Sequence, residues 1–239
     1  MATHGYFLEN LPSTPSSDPT TGFDMMGLDR LKAAAQHNLS LRSGLAFAGA
    51  NTTLRGGILP PDAEDGLLTT HAASVLNLAA TQLVVASACQ TARGDVMVGE
   101  GVMGLRRSFV LAGAQTLVMS LWSVSDVSTA ILMKRFYDNL LTRNMGRADA
   151  LKESQYYVRD LTIRAIRDSW LSNEIIEEIR QRSEATGSYL RQLQQMEDGD
   201  RPFEHPRHWG AFICQGNPGP LPEEALMFLR ERKGSIEGA

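Results

Sequence analysis

Residues 83–88 (Leu-Val-Val-Ala-Ser-Ala) constrain this chain more than any other segment: an apolar run relieved by one serine, closed by Cys89 and the turn-forming 90–94 (Gln-Thr-Ala-Arg-Gly). A run of this length without polar alternation fits a strand buried on both faces, as in the middle of a sheet covered by helices on each side. Its surroundings repeat the theme. Short β-like stretches at 45–48 and 66–68 precede a helix-like stretch at 70–80, and 116–121 reads as the next strand. Between 83–88 and 116–121, Val102, Leu105, Phe109 and Val110 fall at helical spacing, with Gly113 placed as a C-cap. Ser125 or Asp126 then opens a helix whose expected buried face is Val127, Ile131, Phe136, Tyr137, Leu140 and Leu141. Another helix is expected over 148–166, carrying Leu151, Tyr156, Val158 and Leu161. Residues 167–201 are charge-rich and read as two exposed inserted helices before a last strand at 208–214; Pro218 and Pro220 end the core, and 222–233 read as a short amphipathic tail helix. Strands alternating with helices point to an α/β fold with a mostly parallel central sheet flanked by helices.

Composition narrows the function. With 239 residues, 43% of them hydrophobic, the chain can bury one sizeable core with room for an appendage. Its formal charge is −4 with both signs interspersed, and no basic stripe points to nucleic acid. No apolar run approaches the ~20 residues of a membrane span, and the N-terminus has no signal-peptide pattern. Two cysteines, Cys89 and Cys214, are too few for a secreted disulfide framework, so a reduced, cytoplasmic setting is expected, with a bond between the two left open.

Chemistry concentrates at two places. Cys89 follows a central strand, where ligands of open α/β sheets gather outside the carboxyl ends; a buried, inert thiol is the competing reading. His4, in Met-Ala-Thr-His-Gly (1–5), reads as an imidazole at a second strand end, against the plainer reading of a near-terminal residue without a role. A histidine titrating near neutrality can take the thiol proton, and the N–H groups of Gly5 and Cys89 can form an oxyanion hole. Gly99-Glu-Gly101-Val-Met-Gly104 spells the dinucleotide fingerprint, but it begins ten positions after Cys89 instead of in the turn directly behind the strand. It reads instead as a flexible loop entering a helix, with Glu100 near the helix start. His205 and His208 lack the companions of a zinc set and read as solvated or structural; His37 and His71 suggest no chemistry, and Cys214 reads as core. Trp122 is a cleft wall or a core residue. Asp126 is a helix cap or, with Trp122 and Ser123, part of a substrate pocket.

These segments resemble the CHAT family, a caspase-like domain often joined to tetratricopeptide repeats. The matching segments, in the family's order, are Ala-Thr-His-Gly (2–5), Ser-Ala-Cys-Gln-Thr (87–91), Gly-Glu-Gly-Val-Met-Gly-Leu (99–105) and Ala-Gly-Ala (112–114). Ser-Leu-Trp-Ser-Val-Ser-Asp (120–126), Phe136-Tyr137 and His-Pro-Arg-His-Trp-Gly-Ala-Phe (205–212) complete them. The resemblance implies a caspase-like sandwich over 1–216, lacking its early N-terminal strands and carrying a helical insertion at 167–201, with 217–239 as a tail. It implies cysteine endopeptidase chemistry on protein or peptide substrates, with Cys89 as nucleophile, His4 as partner, Gly5 and Cys89 as oxyanion-hole donors, and specificity determinants at 122–126. No cofactor, metal, membrane or direct nucleic-acid partner is expected; a tetratricopeptide-repeat region is an expected associate. A catalytically silent module that binds a partner chain is the alternative.

Overall fold

The computed structural model of the chain describes residues 4–7, 43–87, 98–170 and 183–227, in two units that divide between Ser123 and Val124. In the first unit, β1 (His4–Phe7), β2 (Ser43–Ala46) and β3 (Leu67–Thr69) form an antiparallel sheet in the order β1-β2-β3. The register sets His4 opposite Ala46 and Gly44 opposite Thr69, so β2 is the central strand, and all four of its residues are buried. The short helix α1 (Ala50–Leu54) buries Ala50 and Leu54 on the way to β3. Gly66 makes the return: its φ is +75°, and a Cβ there would lie 2.4 Å from the Ala50 nitrogen, so only glycine fits. The Thr69 hydroxyl then caps α2 (Thr70–Ser74) by accepting from the Ala72 N–H at 3.1 Å.

The apolar run at 83–88 yields β4 (Val84–Ala86), which pairs in parallel with β5 (Thr116–Ser120), Val84 opposite Leu117 and Ala86 opposite Met119. The helix between them, α3 (Val98–Leu111), is the crossover that a parallel pair requires. Its C-terminus closes as anticipated: Gly113 has φ +98°, and the Gly113 and Ala114 N–H groups donate to the Val110 and Phe109 carbonyls. The expectation of a mostly parallel sheet is corrected here. The described strands of this unit form two small sheets, and only β4 and β5 run parallel. Alternation of strands with helices does not fix strand direction, and β4 itself is only half-buried at Val84 and Val85. Two details also differ from expectation. Helix α3 starts at Val98, which puts Gly99, Gly101 and Gly104 inside a helix and not in a loop. Val110 lies 45% exposed, because the buried stripe at i, i+3, i+4, i+7 is Leu105, Ser108, Phe109 and Ala112.

The second unit opens with α4 (Asp126–Leu141) and α5 (Arg147–Asp160), packed through Ile131, Leu132, Phe136 and Leu140 on one side and Ala150, Leu151 and Val158 on the other. Tyr137, expected on the buried face, is 40% exposed, and Tyr156 is 44% exposed; Tyr156 lies beneath the Arg159 guanidinium, 4.6 Å from it. A polar clamp joins the two helices. The fully buried Asn139 amide donates to Glu153, to the Ser154 hydroxyl and to the Ala150 carbonyl, and Arg135 grips Glu153 with a fork. The expected helix over 148–166 breaks at Leu161, whose ψ of 123° is extended, and α6 (Ile163–Trp170) restarts under the Thr162 hydroxyl. The Asp200 and Asp198 carbonyls accept the Ile163 and Arg164 N–H groups, satisfying the orphan donors of that start.

Helix α7 (Glu184–Gln194) is not simply exposed: Leu190 and Leu193 are buried, and Arg167 of α6 reaches the carbonyls of Gln194 and Met196 and the Asp198 carboxylate. The last strand, β6 (Phe212–Gly216), begins later than expected, after a 3₁₀ turn at Pro206–His208. The core does not end at Pro218 and Pro220. The Pro218 and Gly219 carbonyls accept the first N–H groups of α5, and Leu221 and Leu226 are buried beyond them. Residues 223–227 are helical, and the rest of the expected tail helix lies outside the described residues.

Candidate active site

Strand β4 ends at Ala86, three residues before Cys89, which lies outside the described residues. Because β5 runs parallel to it in the register Ala86 opposite Met119, the carboxyl ends of both strands open at one sheet edge. Trp122, half-buried, and Ser123, exposed, follow β5 at that edge. In the second unit Asp126 is the exposed first residue of α4, and Ser125 holds the N-cap position without a side-chain cap bond. The cap reading of Asp126 is thereby displaced: its carboxylate sits in the first turn, where the helix dipole favours it, but closes no capping hydrogen bond.

His4 is the first described residue of β1, and the expected strand at 1–3 lies outside the described residues. The β1 backbone is held against β2, His4 opposite Ala46 and Gly5 opposite Leu45. β1 and β4 belong to different sheets of the first unit, so the strand that opens with His4 and the strand that leads to Cys89 enter by separate routes. What joins those routes is α3. A Cβ on Gly104 would lie 3.2 Å from the Ser43 Oγ and 3.4 Å from the Thr70 Cγ2, so the bare glycine lets α3 approach β2 and α2. The Ser43 and Thr70 hydroxyls are 2.7 Å apart, and Thr70 also donates to the Ser43 carbonyl at 2.9 Å. Neither residue stands out in the sequence, since 27 positions separate them; only Gly104, inside the 99–105 motif, carried a signal.

Away from this edge the structure supplies the roles that isolated histidines and cysteines lacked. His205 caps the 3₁₀ turn through its Nδ1, which accepts the Arg207 N–H at 3.2 Å. His208 is buried, packs edge-on against Phe203 and accepts the Arg207 Nε–H at 3.0 Å on Nε2. Burial, with Arg207 and His205 adding to it, pushes the His208 imidazole below its ordinary value. The structural reading of both histidines holds. Cys214 is a free thiol, half-buried, and Cys89 lies outside the described residues. Burial raises its thiol above the ordinary range, against a smaller opposing pull from Arg147. That is the setting of an inert cysteine. The Arg135 fork on Glu153, with Asn139 and the neighbouring arginines helping, holds the Glu153 carboxyl below the usual carboxylate range.

Among the described residues no group of three or more His, Cys, Asp or Glu side chains is arranged to hold a metal ion. No described helix is long and apolar enough to cross a membrane.

Comparison with known proteins adds the wider frame. The family model described as the CHAT domain matches residues 1–217. Tetratricopeptide repeat protein 28 of Mus musculus is 38% identical over 82 residues, 34% of this chain and 3% of that protein. Its namesake in Homo sapiens is 35% identical over 100 residues, 41% of this chain and 4% of that protein. The matches therefore touch only a small part of these relatives' own length. No solved structure matches significantly.

Proposed function

The chain belongs to the CHAT domain family, and from that premise we propose that it is a caspase-like cysteine endopeptidase acting through Cys89 and His4. The observation that carries the reading is the parallel β4–β5 pair inside the matched region. It opens the carboxyl ends of two neighbouring strands at one edge, one leading toward the candidate nucleophile Cys89 and the other to Trp122 and Ser123. The alternative thiol, Cys214, is half-buried with its acidity suppressed.

In the reaction, the Cys89 thiolate attacks the scissile carbonyl and forms a C–S bond. The N–H groups of Gly5 and Cys89 hold the oxyanion, and the His4 imidazolium gives its proton to the leaving amine as the C–N bond breaks. His4 then takes a proton from water, which attacks the thioester and releases the acid and the free thiol. Trp122, Ser123 and Asp126 are the proposed specificity positions. Asp126, exposed and uncommitted to a cap bond, favours a basic substrate side chain.

A second reading rests on the separate sheets of β1 and β4: a caspase-like domain that binds a partner chain without hydrolysis, with a tetratricopeptide-repeat region as the partner to test first. A peptide acyloxymethyl ketone separates the two. Peptidase chemistry predicts covalent labelling of Cys89, abolished in Cys89→Ala and slowed at least tenfold in His4→Ala. Labelling indifferent to His4, or confined to Cys214, would leave only the binding module standing.

A further inference from the structure

Among the described residues of the first unit, five large aliphatic side chains are exposed: Ile58, Val75, Leu76, Val110 and Leu111. Ile58 lies in the loop between α1 and β3, but the other four come from two segments that the backbone ties together. Val75 and Leu76 follow α2, and Val110 and Leu111 close α3. The Leu78 N–H donates to the Ala112 carbonyl at 2.8 Å, and the Gln115 N–H donates to the Thr81 carbonyl at 3.0 Å. A Cβ on Gly113 would come within 3.1 Å of the Ala79 backbone. One end of the unit therefore gathers four aliphatic side chains, 39% to 70% exposed, beside the exposed Ala79 and Ala80. A single exposed leucine is ordinary; four such residues gathered at one end mark a surface that something covers.

The charge at this end has one sign. Residues 66–87 contain no Lys, Arg, Asp or Glu, and residues 101–123 contain Arg106 and Arg107 alone. Arg107 is exposed, and it precedes Val110 and Leu111 by three and four positions, which sets it on their face of α3. The nearest acidic positions in the chain lie elsewhere: Asp65 precedes β3, and Glu100 lies in the first turn of α3, about two turns before Arg107. A second copy docked isologously would bring Arg107 against an equally cationic rim with no carboxylate to meet it. A lipid surface calls for a polar face rich in Lys and Arg with Trp, Phe or Leu beneath; here the exposed apolar side chains are all aliphatic and the cations number two. An amphipathic helix meets both requirements, with aliphatic anchors at helical spacing for the four side chains and flanking carboxylates for the arginine.

We propose that the end of the first unit formed by Val75, Leu76, Val110 and Leu111, with Arg107 at its rim, is a docking surface for an acidic amphipathic helix of a partner chain. Apolar burial supplies the attachment, and Arg107 selects the sign of the partner and its orientation. This surface is independent of the peptidase reading and shares no residue with its proposed site.

The test uses the full chain and two fluorescein-labelled helical peptides of about 18 residues, five turns. Both carry the same leucine stripe; glutamates flank it in one and lysines in the other. Fluorescence anisotropy should show the glutamate peptide binding about tenfold tighter than the lysine peptide, and weakening as salt rises. Leu111→Ser and Val75→Ser should each weaken that binding about tenfold. Arg107→Glu should reverse the preference, losing the glutamate peptide and admitting the lysine peptide. Thermal melts check that the exposed substitutions leave the fold intact, and Arg107→Glu carries the test if a serine variant melts early, since it keeps every apolar side chain in place.

No binding of either peptide refutes the docking surface, and so does equal affinity for both that ignores Arg107. Two further outcomes hand the face to another occupant and refute the proposal as well. One is sedimentation velocity in which the wild type self-associates and Leu111→Ser does not. The other is co-pelleting with phosphatidylserine–phosphatidylcholine vesicles by the wild type and not by Leu111→Ser, with neither peptide bound.

Discussion

A buried histidine shows how much a single residue's surroundings decide. His208 accepts a hydrogen bond from Arg207 on Nε2, which fixes its proton on Nδ1, and its ring edge packs on the fully buried Phe203. Protonating it would destroy that acceptor and set two cations side by side. The native imidazole is therefore depressed below its ordinary value, and the unfolded chain binds the extra proton first, near pH 6.5. Stability from this group is fully present above about pH 6.5 and is lost as pH falls toward the native value. Thermal melts of the wild type should thus drop between pH 7 and 5, and His208→Gln, which cannot titrate, should flatten that slope. Equal slopes in the two proteins would show that His208 does not drive the loss. Stability from Glu153 is lost in the same direction, as pH falls, but in a more acidic window. Its lowered carboxyl contributes above about pH 4.3 and is lost only as pH falls through its native value, so the two windows are separable in one titration.

At the scale of elements, Gly113 offers the cleanest test. It ends α3 at φ +98°, and a Cβ there would come within 3.1 Å of the Ala79 backbone. Gly113→Ala should therefore cost about 1–2 kcal/mol from the left-handed conformation alone. At this chain length that corresponds to a melting shift of roughly 2–4 °C per kcal/mol, and a variant melting with the wild type would show that the helix end relaxes freely. This cap was legible because glycine after a periodic run has a local meaning. The α4 stripe was half-legible: Ile131, Phe136 and Leu140 are buried as expected, while Tyr137 turns outward and Asn139 inward. Asn139 is hidden from pattern reading because its partners Glu153 and Ser154 lie on the next helix. The break at Leu161 was invisible for a similar reason. The apolar spacing runs straight through it, and what restarts the helix is a pair of carbonyls some forty residues on, at Asp198 and Asp200. For the candidate site, chain order was enough to set Trp122 and Ser123 just beyond a strand end. Strand direction, and the hydrogen-bonded pair of Ser43 and Thr70, depend on pairings that no local window contains.

Across the whole molecule, deep burial among the described residues is concentrated in a few elements. Phe136, Phe203, Ile131, Leu132, Leu140, Ile163, Ile166, Leu193 and Leu226, each no more than 2% exposed, all lie in the second unit. Among the described residues of the first unit, the comparably buried large side chains are Leu117 and Met119 of β5 with Val118 between them, while Leu45 and Leu54 keep some exposure. Burying a large aliphatic or aromatic side chain is worth about 1.5–3 kcal/mol, so among the described elements α4, α5, α6 and β5 hold large reserves and β3, with no buried residue, holds little. Local opening follows such reserves, and segments with few buried apolar contacts exchange their amide protons first. Native-state hydrogen exchange should accordingly show α4 and α5 protected longest and β1–β3 opening well before them, with β5 the most protected strand of its unit. This ordering would suit the chemistry proposed here, because the strand opening with His4 belongs to the sheet expected to open first. A substrate-like aldehyde bound at Cys89 should then slow exchange in β1 and β2 selectively, leaving α4 and α5 as they were. Uniform slowing across both units, or none in β1, would mean that occupancy of Cys89 is not felt by the His4 strand.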